Sequence, residues 1–255
     1  MIATDKFVFI HLPRTGGTFV AEVIKKFFPS AHEIGYHLPR VALPMEYVHL
    51  PIIGGIRNPW DFYASWYHHQ QSGTRYSPLF CGLSENRKLD FNQTIQNALN
   101  LGVSDKKLDR LIEGLPENFD YQNKHVANIT KSVMEKIRGT GLGLYSFRFT
   151  QMFGAAENVF FYRTESLRSD LIAFFEGIAA ASDGLRQYVL NLDKKNISEH
   201  QHYSSYYTQE LAELLLVRDR PLIERFGYVF EQPESLEEKL KSLRGFRALS
   251  HIGGT

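Results

Sequence analysis

Residues His11-Leu12-Pro13-Arg14-Thr15-Gly16-Gly17-Thr18 stand between a short apolar run, Phe7-Val8-Phe9-Ile10, and a segment of helical periodicity from Thr18 to Phe28. The run has strand length and is closed by a Pro/Gly loop. In the following segment Phe19, Val20, Val23, Ile24, Phe27 and Phe28 fall on one helix face, while Glu22, Lys25 and Lys26 point away. Pro29 then stops the helix. Strand, glycine loop and helix in that order leave few folds open.

Two more units repeat the plan. Ile52 to Ile56 reads as a buried strand, and Arg57-Asn58-Pro59-Trp60-Asp61 opens a helix with Asn58 as N-cap, Pro59 at the first position and Asp61 in the first turn. Asn158 to Tyr162 leads to a helix through Leu167, Leu171, Ile172, Phe174 and Phe175. Strands alternating with helices predict an α/β fold of three layers, a central, mostly parallel sheet flanked by helices. A chain of 255 residues can form this as a single domain, 1–255. Residues 85–155 read as a polar helical insertion, loosened by Gly139, Gly141 and Gly143, that either shapes a substrate mouth or is plain helical packing. Ser235 to Leu243 reads as a charged surface helix, and residues 251–255 as a loose tail, so 232–255 closes the chain with a helix and tail.

With 29 Lys+Arg against 28 Asp+Glu, the balance of charge argues against a surface built for nucleic acid, and an anion has to be bound locally. Cys81, the one cysteine, excludes an internal disulfide and a cysteine metal cluster, fits a reducing compartment and reads as a small half-buried thiol. Neither a leader pattern nor a run of ~20 apolar residues occurs, which predicts a soluble, cytoplasmic protein without a membrane span. Assembly as a homodimer is left open.

A loop between a buried strand and a helix turns backbone N–H groups toward the positive end of the helix, where an anion is favoured. Gly16 and Gly17 permit close approach, and Thr15 and Thr18 add hydroxyls. The triphosphate loop G-x-x-x-x-G-K-[ST] has the same length. Here His11 replaces its first glycine, Gly17 replaces its lysine, and the cation has moved inward to Arg14. A cation there suits an oxygen on which charge grows as a bond to it breaks.

The segment Phe9 to Thr18 resembles the 5′-phosphosulfate loop of PAPS-dependent sulfotransferases, whose common form is P-K-T-G-G-T. Arg14 departs from it by exchanging a point ammonium for a planar fork. The resemblance implies a P-loop-like sulfotransferase architecture, 3′-phosphoadenosine 5′-phosphosulfate (PAPS) as donor, 3′,5′-ADP as product and no metal. It also implies that Pro13, Arg14, Thr15, Gly16, Gly17 and Thr18 hold the phosphosulfate. Arg57, Asn58-Pro59 and Ser65 resemble the family's 3′-phosphate motif, R-[DN]-P-…-S. Ser65 lies two helical turns past Asn58, ~10 Å along the axis, so Arg57 and Ser65 can share a phosphate only alongside the helix. The aromatic residues Trp60, Phe62, Tyr63, Trp66 and Tyr67 read mainly as core, with one or two left for the acceptor pocket. Asn196-Ile197-Ser198, Tyr203, Tyr206-Tyr207 and Phe226-Gly227-Tyr228-Val229-Phe230 are similar to the closing segment, in which Asn196 and Ser198 either contact the nucleotide or form a turn.

Sulfuryl transfer needs a base for the acceptor proton, and histidine suits it. The context of His37 resembles the g-H-[VL] segment that supplies the base in uronyl-type sulfotransferases; His32, Glu33, His11 and His125 compete with it. His68-His69 and His200-x-His202 lack a third ligand at metal-site spacing. The implied acceptor is a small molecule or saccharide. Two rivals share the strand-loop-helix plan: a small-molecule or nucleotide kinase, disfavoured by the missing lysine, and a non-catalytic nucleotide-binding protein.

Overall fold

The computed structural model of the protein describes residues 1–73, 77–122, 128–154, 157–193 and 201–231. Its sheet has five strands: β1 (Ile2–Ala3), β2 (Val8–Ile10), β3 (His32–Glu33), β4 (Ile52–Ile56) and β5 (Val159–Arg163), in the order β3-β1-β2-β4-β5. β2, β4 and β5 run parallel, with Val8 opposite Ile52 and Ile52 opposite Val159. β1 pairs antiparallel with both β2 and β3, so the sheet is mixed at one edge. β1 and β3, two residues each, are too short to leave a period in the sequence. Phe7, expected to begin β2, instead closes the turn from β1, where its N–H donates to Thr4 Oγ1 at 2.9 Å.

Helix α1 (Gly17–Phe27) connects β2 toward β4, and α2 (Pro59–Ser72) leaves β4. The segment before β5 holds α3 (Pro78–Leu83), α4 (Phe91–Leu99), α5 (Asp105–Glu113), α6 (Lys131–Glu135) and α7 (Leu144–Phe153), joined by turns and loops. After β5 come α8 (Leu167–Gly177), α9 (Asp183–Asn191), α10 (Gln209–Arg218) and α11 (Arg220–Phe226). None of these helices is long and apolar enough to cross a membrane.

Alternation along the strands divides the core into two layers. Val8, Ile10, Ile52 and Ile56 face a large cluster that includes buried residues of α2, α4, α7, α10 and α11. Phe7, Phe9, Ile53 and Tyr162 face a smaller one built with α1, α8 and α9. The result is helix, sheet, helix, as the alternating pattern predicts. Trp60, Phe62, Tyr63, Trp66 and Tyr67 are all buried, and Cys81 is half-buried. Gly55, in the middle of β4, has a specific reason to lack a side chain. A Cβ there would lie 2.6 Å from Thr15 Oγ1 and 2.5 Å from the Tyr162 hydroxyl, so the bare strand is what lets the glycine loop settle onto the sheet.

Candidate functional site: an arginine-bearing loop against the head of a helix

The loop of residues 11–18 leaves the end of β2 and enters α1 through Gly16, an N-cap in the left-handed region with φ 78°. The first bond of the helix runs from the Phe19 N–H to the Gly16 carbonyl, 3.0 Å, so the amides ahead of it face the loop rather than the helix. Arg14 also has positive φ, 65°, a conformation that costs a non-glycine residue roughly 1–2 kcal/mol. Two contacts hold it: Thr15 Oγ1 donates to the Leu12 carbonyl at 2.8 Å, and Arg57 Nη1 donates to the Arg14 carbonyl at 3.3 Å. Thr15 is fully buried by this bond, and Thr18 is exposed at the rim. The two threonines expected to line the loop thus differ, with the Thr15 hydroxyl engaged inward.

The two sequence motifs meet at the Arg14 guanidinium. Its Nε and Nη2 donate to Ser65 Oγ at 3.1 and 2.8 Å, bringing together residues 51 apart in sequence. Ser65, expected beside Arg57, therefore lies on Arg14, one helical turn before His69 on the same stripe of α2. Arg57 follows β4, where the strand hands over to α2, and its Nε pairs with Asp61 Oδ2 at 2.7 Å. Asn58 caps α2 as predicted, accepting from the Trp60 N–H at 3.1 Å, and ties the corner to Val229 and Glu165. Tyr145 fixes the same corner from α7: its hydroxyl accepts from the Arg57 N–H at 2.9 Å and donates to the Arg57 carbonyl at 3.2 Å.

Burial, reinforced by repulsion from Arg57 and only partly relieved by Asp61, lowers the Arg14 pKa to about 10. Two guanidinium groups this close, beside the positive end of a helix, form a site that an anion would relieve. His69 is also lowered, first by burial and then by the Arg14 charge. In the sequence His69 stands out only beside His68, as a metal-ligand candidate; its i+4 spacing from Ser65 is the signal that places it on this face.

His37, with φ 51°, lies over the start of the loop, its ring 4.6 Å from that of His11 and 3.9 Å from that of Tyr36. Tyr36 was not anticipated. Its phenol pKa is raised by burial and by Glu33, against a hydrogen bond with Thr18 and the charge of Arg14, so it belongs to the rim of the loop. The competing bases are differently occupied. His11 is buried against Phe9, His32 approaches the Tyr47 hydroxyl at 3.2 Å on the surface, and Glu33 holds Lys25 at 2.8 Å. His125, Asn196 and Ser198 lie outside the described residues, as do 232–255.

Burial first, then neighbouring positive charge including Arg14, lowers His11 to about 3 from 6.5. The unfolded chain therefore binds this proton more tightly, and the contribution to stability, complete above about pH 6.5, is lost as pH falls toward 3. Urea midpoints measured from about pH 7 to pH 4 should fall, and His11→Gln should lessen the fall. The same ring explains Gly17: a Cβ there would lie 1.9 Å from His11 Cδ2. Gly17→Ala is expected to cost about 1–3 kcal/mol through overpacking, read as a lowered thermal midpoint.

The fold is α/β, with a loop carrying Arg14 at the head of α1. Neither a protein-family model nor a curated protein sequence matches the chain. Among solved structures it is similar to a mouse sulfotransferase, SULT7A1, complexed with PAP, at 14% identity and a TM-score of 0.44, over 87% of this chain and 83% of that one.

Proposed function

We propose that the protein is a PAPS-dependent sulfotransferase, moving a sulfuryl group to a hydroxyl or amine of a small metabolite or saccharide. The observation that carries this function is the contact of Arg14 with Ser65 while Arg57 holds the Arg14 carbonyl. It joins the phosphosulfate-loop motif to the 3′-phosphate motif at one cationic centre. Two arginines from two motifs suit a donor that carries more than one anionic group.

On this proposal His37 takes the acceptor proton as the acceptor oxygen or nitrogen bonds to sulfur. The bond from sulfur to the bridging oxygen breaks with its electron pair going to that oxygen, which leaves as part of 3′,5′-ADP. Arg14 and the backbone N–H groups of residues 14–18 stabilise the growing charge, with Pro13 shaping the loop ahead of them. Arg57 and Ser65 anchor the 3′-phosphate, so that remote binding orients the reacting end. Asn196 and Ser198 remain proposed nucleotide contacts, and no residue role here calls for a metal.

The test is a screen of hydroxyl and amine acceptors with ³⁵S-labelled PAPS and no added metal. Label recovered in an acceptor is the expected result. Phosphoryl transfer from ATP with Mg²⁺, and no sulfuryl transfer, would make the protein a kinase instead.

A further inference from the structure

Asp219 is a fully buried carboxylate at the junction of α10 and α11, outside the site described above. A buried charge is costly, and one that persists is expected to have donors that repay it. One oxygen, Oδ1, is bonded by a donor from α7, while Oδ2 has no hydrogen-bond partner among the described residues. The Ser146 N–H donates to Oδ1 at 2.8 Å, and the Tyr63 hydroxyl is turned toward the carboxylate. The Tyr207 hydroxyl, which feels the Asp219 charge, donates to the Trp60 carbonyl at 2.8 Å, the neighbouring Arg218 guanidinium reaches Gly141 and Asn100, and Arg220 is exposed.

These contacts complete the N-terminus of α7. Its N-cap, Gly143, offers no side-chain bond, and its first amides are satisfied by other parts of the chain. Gly143 N–H donates to the Arg218 carbonyl at 2.9 Å, Tyr145 N–H to the Tyr63 hydroxyl at 2.9 Å, and Ser146 N–H to Asp219. A negative group here is also favoured by the helix dipole. The approach is close enough that a Cβ on Gly143 would lie 2.8 Å from Asp219 Oδ1. Tyr145, fixed by this cap, is the residue whose hydroxyl binds both the N–H and the carbonyl of Arg57.

We propose that Asp219 is a positioning residue for Arg57: it caps α7 from across the fold and, through Tyr145, holds the backbone corner that presents Arg57 to the loop. The inference rests on the donor-binding role proposed above for Arg57. Burial raises the carboxyl to about 6, against the Ser146 and Tyr63 hydrogen bonds, so the carboxylate acceptor predominates at neutral pH.

Two readouts test it in the full chain: hydrogen exchange at the Arg57 amide, and affinity for 3′,5′-ADP. Asp219→Ala should speed exchange at Arg57 and weaken 3′,5′-ADP, each by about tenfold, the size of one lost buried hydrogen bond. Exchange at Ile53 in mid-strand should change less, which separates local loosening from general destabilisation. Asp219→Asn, which keeps an acceptor for Ser146, should restore most of both. If Asp219→Ala does not fold, Tyr145→Phe, which removes only the clamp, should give the same pair of changes. A folded Asp219→Ala with wild-type exchange at Arg57, or a Tyr145→Phe protein with neither change, would overturn the inference. Should wild-type protein bind no 3′,5′-ADP, the donor proposal fails by itself, and the exchange measurement still decides what Asp219 does.

Discussion

Arg14→Ala should lower kcat about 10²- to 10³-fold, the loss that follows removal of a donor aimed at charge growing in the transition state. The fold should survive, because the Arg14 side chain is a partly buried cation near Arg57 and its removal relieves a repulsion. Positive φ at position 14 remains unfavourable for alanine, so any loss of stability should be small. Arg14→Lys separates charge from shape. Lysine keeps the cation but cannot bond Ser65 through two nitrogens, and an intermediate loss of about tenfold is expected. Steady-state rates and thermal midpoints of the three proteins check this. Full turnover by Arg14→Ala would remove the loop from the chemistry.

His37→Ala should have the next largest effect, about 10²- to 10⁴-fold on kcat, as expected for a general base. Affinity for 3′,5′-ADP should hardly change, since His37 lies over the start of the loop and not at the Arg14–Ser65 contact. His69→Ala is the informative companion, because His69 follows Ser65 by one turn and feels the charge of Arg14. If His69→Ala loses turnover and His37→Ala does not, the base is on α2.

Much of the fold was legible because it depends on local signals. The β4 strand, the Asn58 cap with Pro59 behind it, and the apolar face of α1 are each encoded within a few residues. β1 and β3 were not, since two-residue strands exist only through their partners. In the candidate site, sequence order supplied Arg14, Arg57 and Ser65 but not which of them touch. The resemblance to the 3′-phosphate motif implied that Ser65 would accompany Arg57, whereas the turn at positive φ carries the Arg14 guanidinium to Ser65. The corner clamp was illegible for the same reason. Tyr145 lies 88 residues from Arg57, and a tyrosine on a buried helix has no pattern that distinguishes packing from a specific hydrogen bond. His11 inverts the lesson: it occupies a position of the loop motif, yet it is a packing ring beneath α1.

Calorimetric titration of the wild-type protein with 3′,5′-ADP, without magnesium, addresses the donor site most directly. A single site should bind it, more weakly at higher salt because the contacts are ionic. Arg57→Ala should lower the affinity by at least about tenfold, as for a charge-assisted hydrogen bond. No heat with 3′,5′-ADP, together with binding of ATP that requires magnesium, would contradict the assignment of the loop to PAPS.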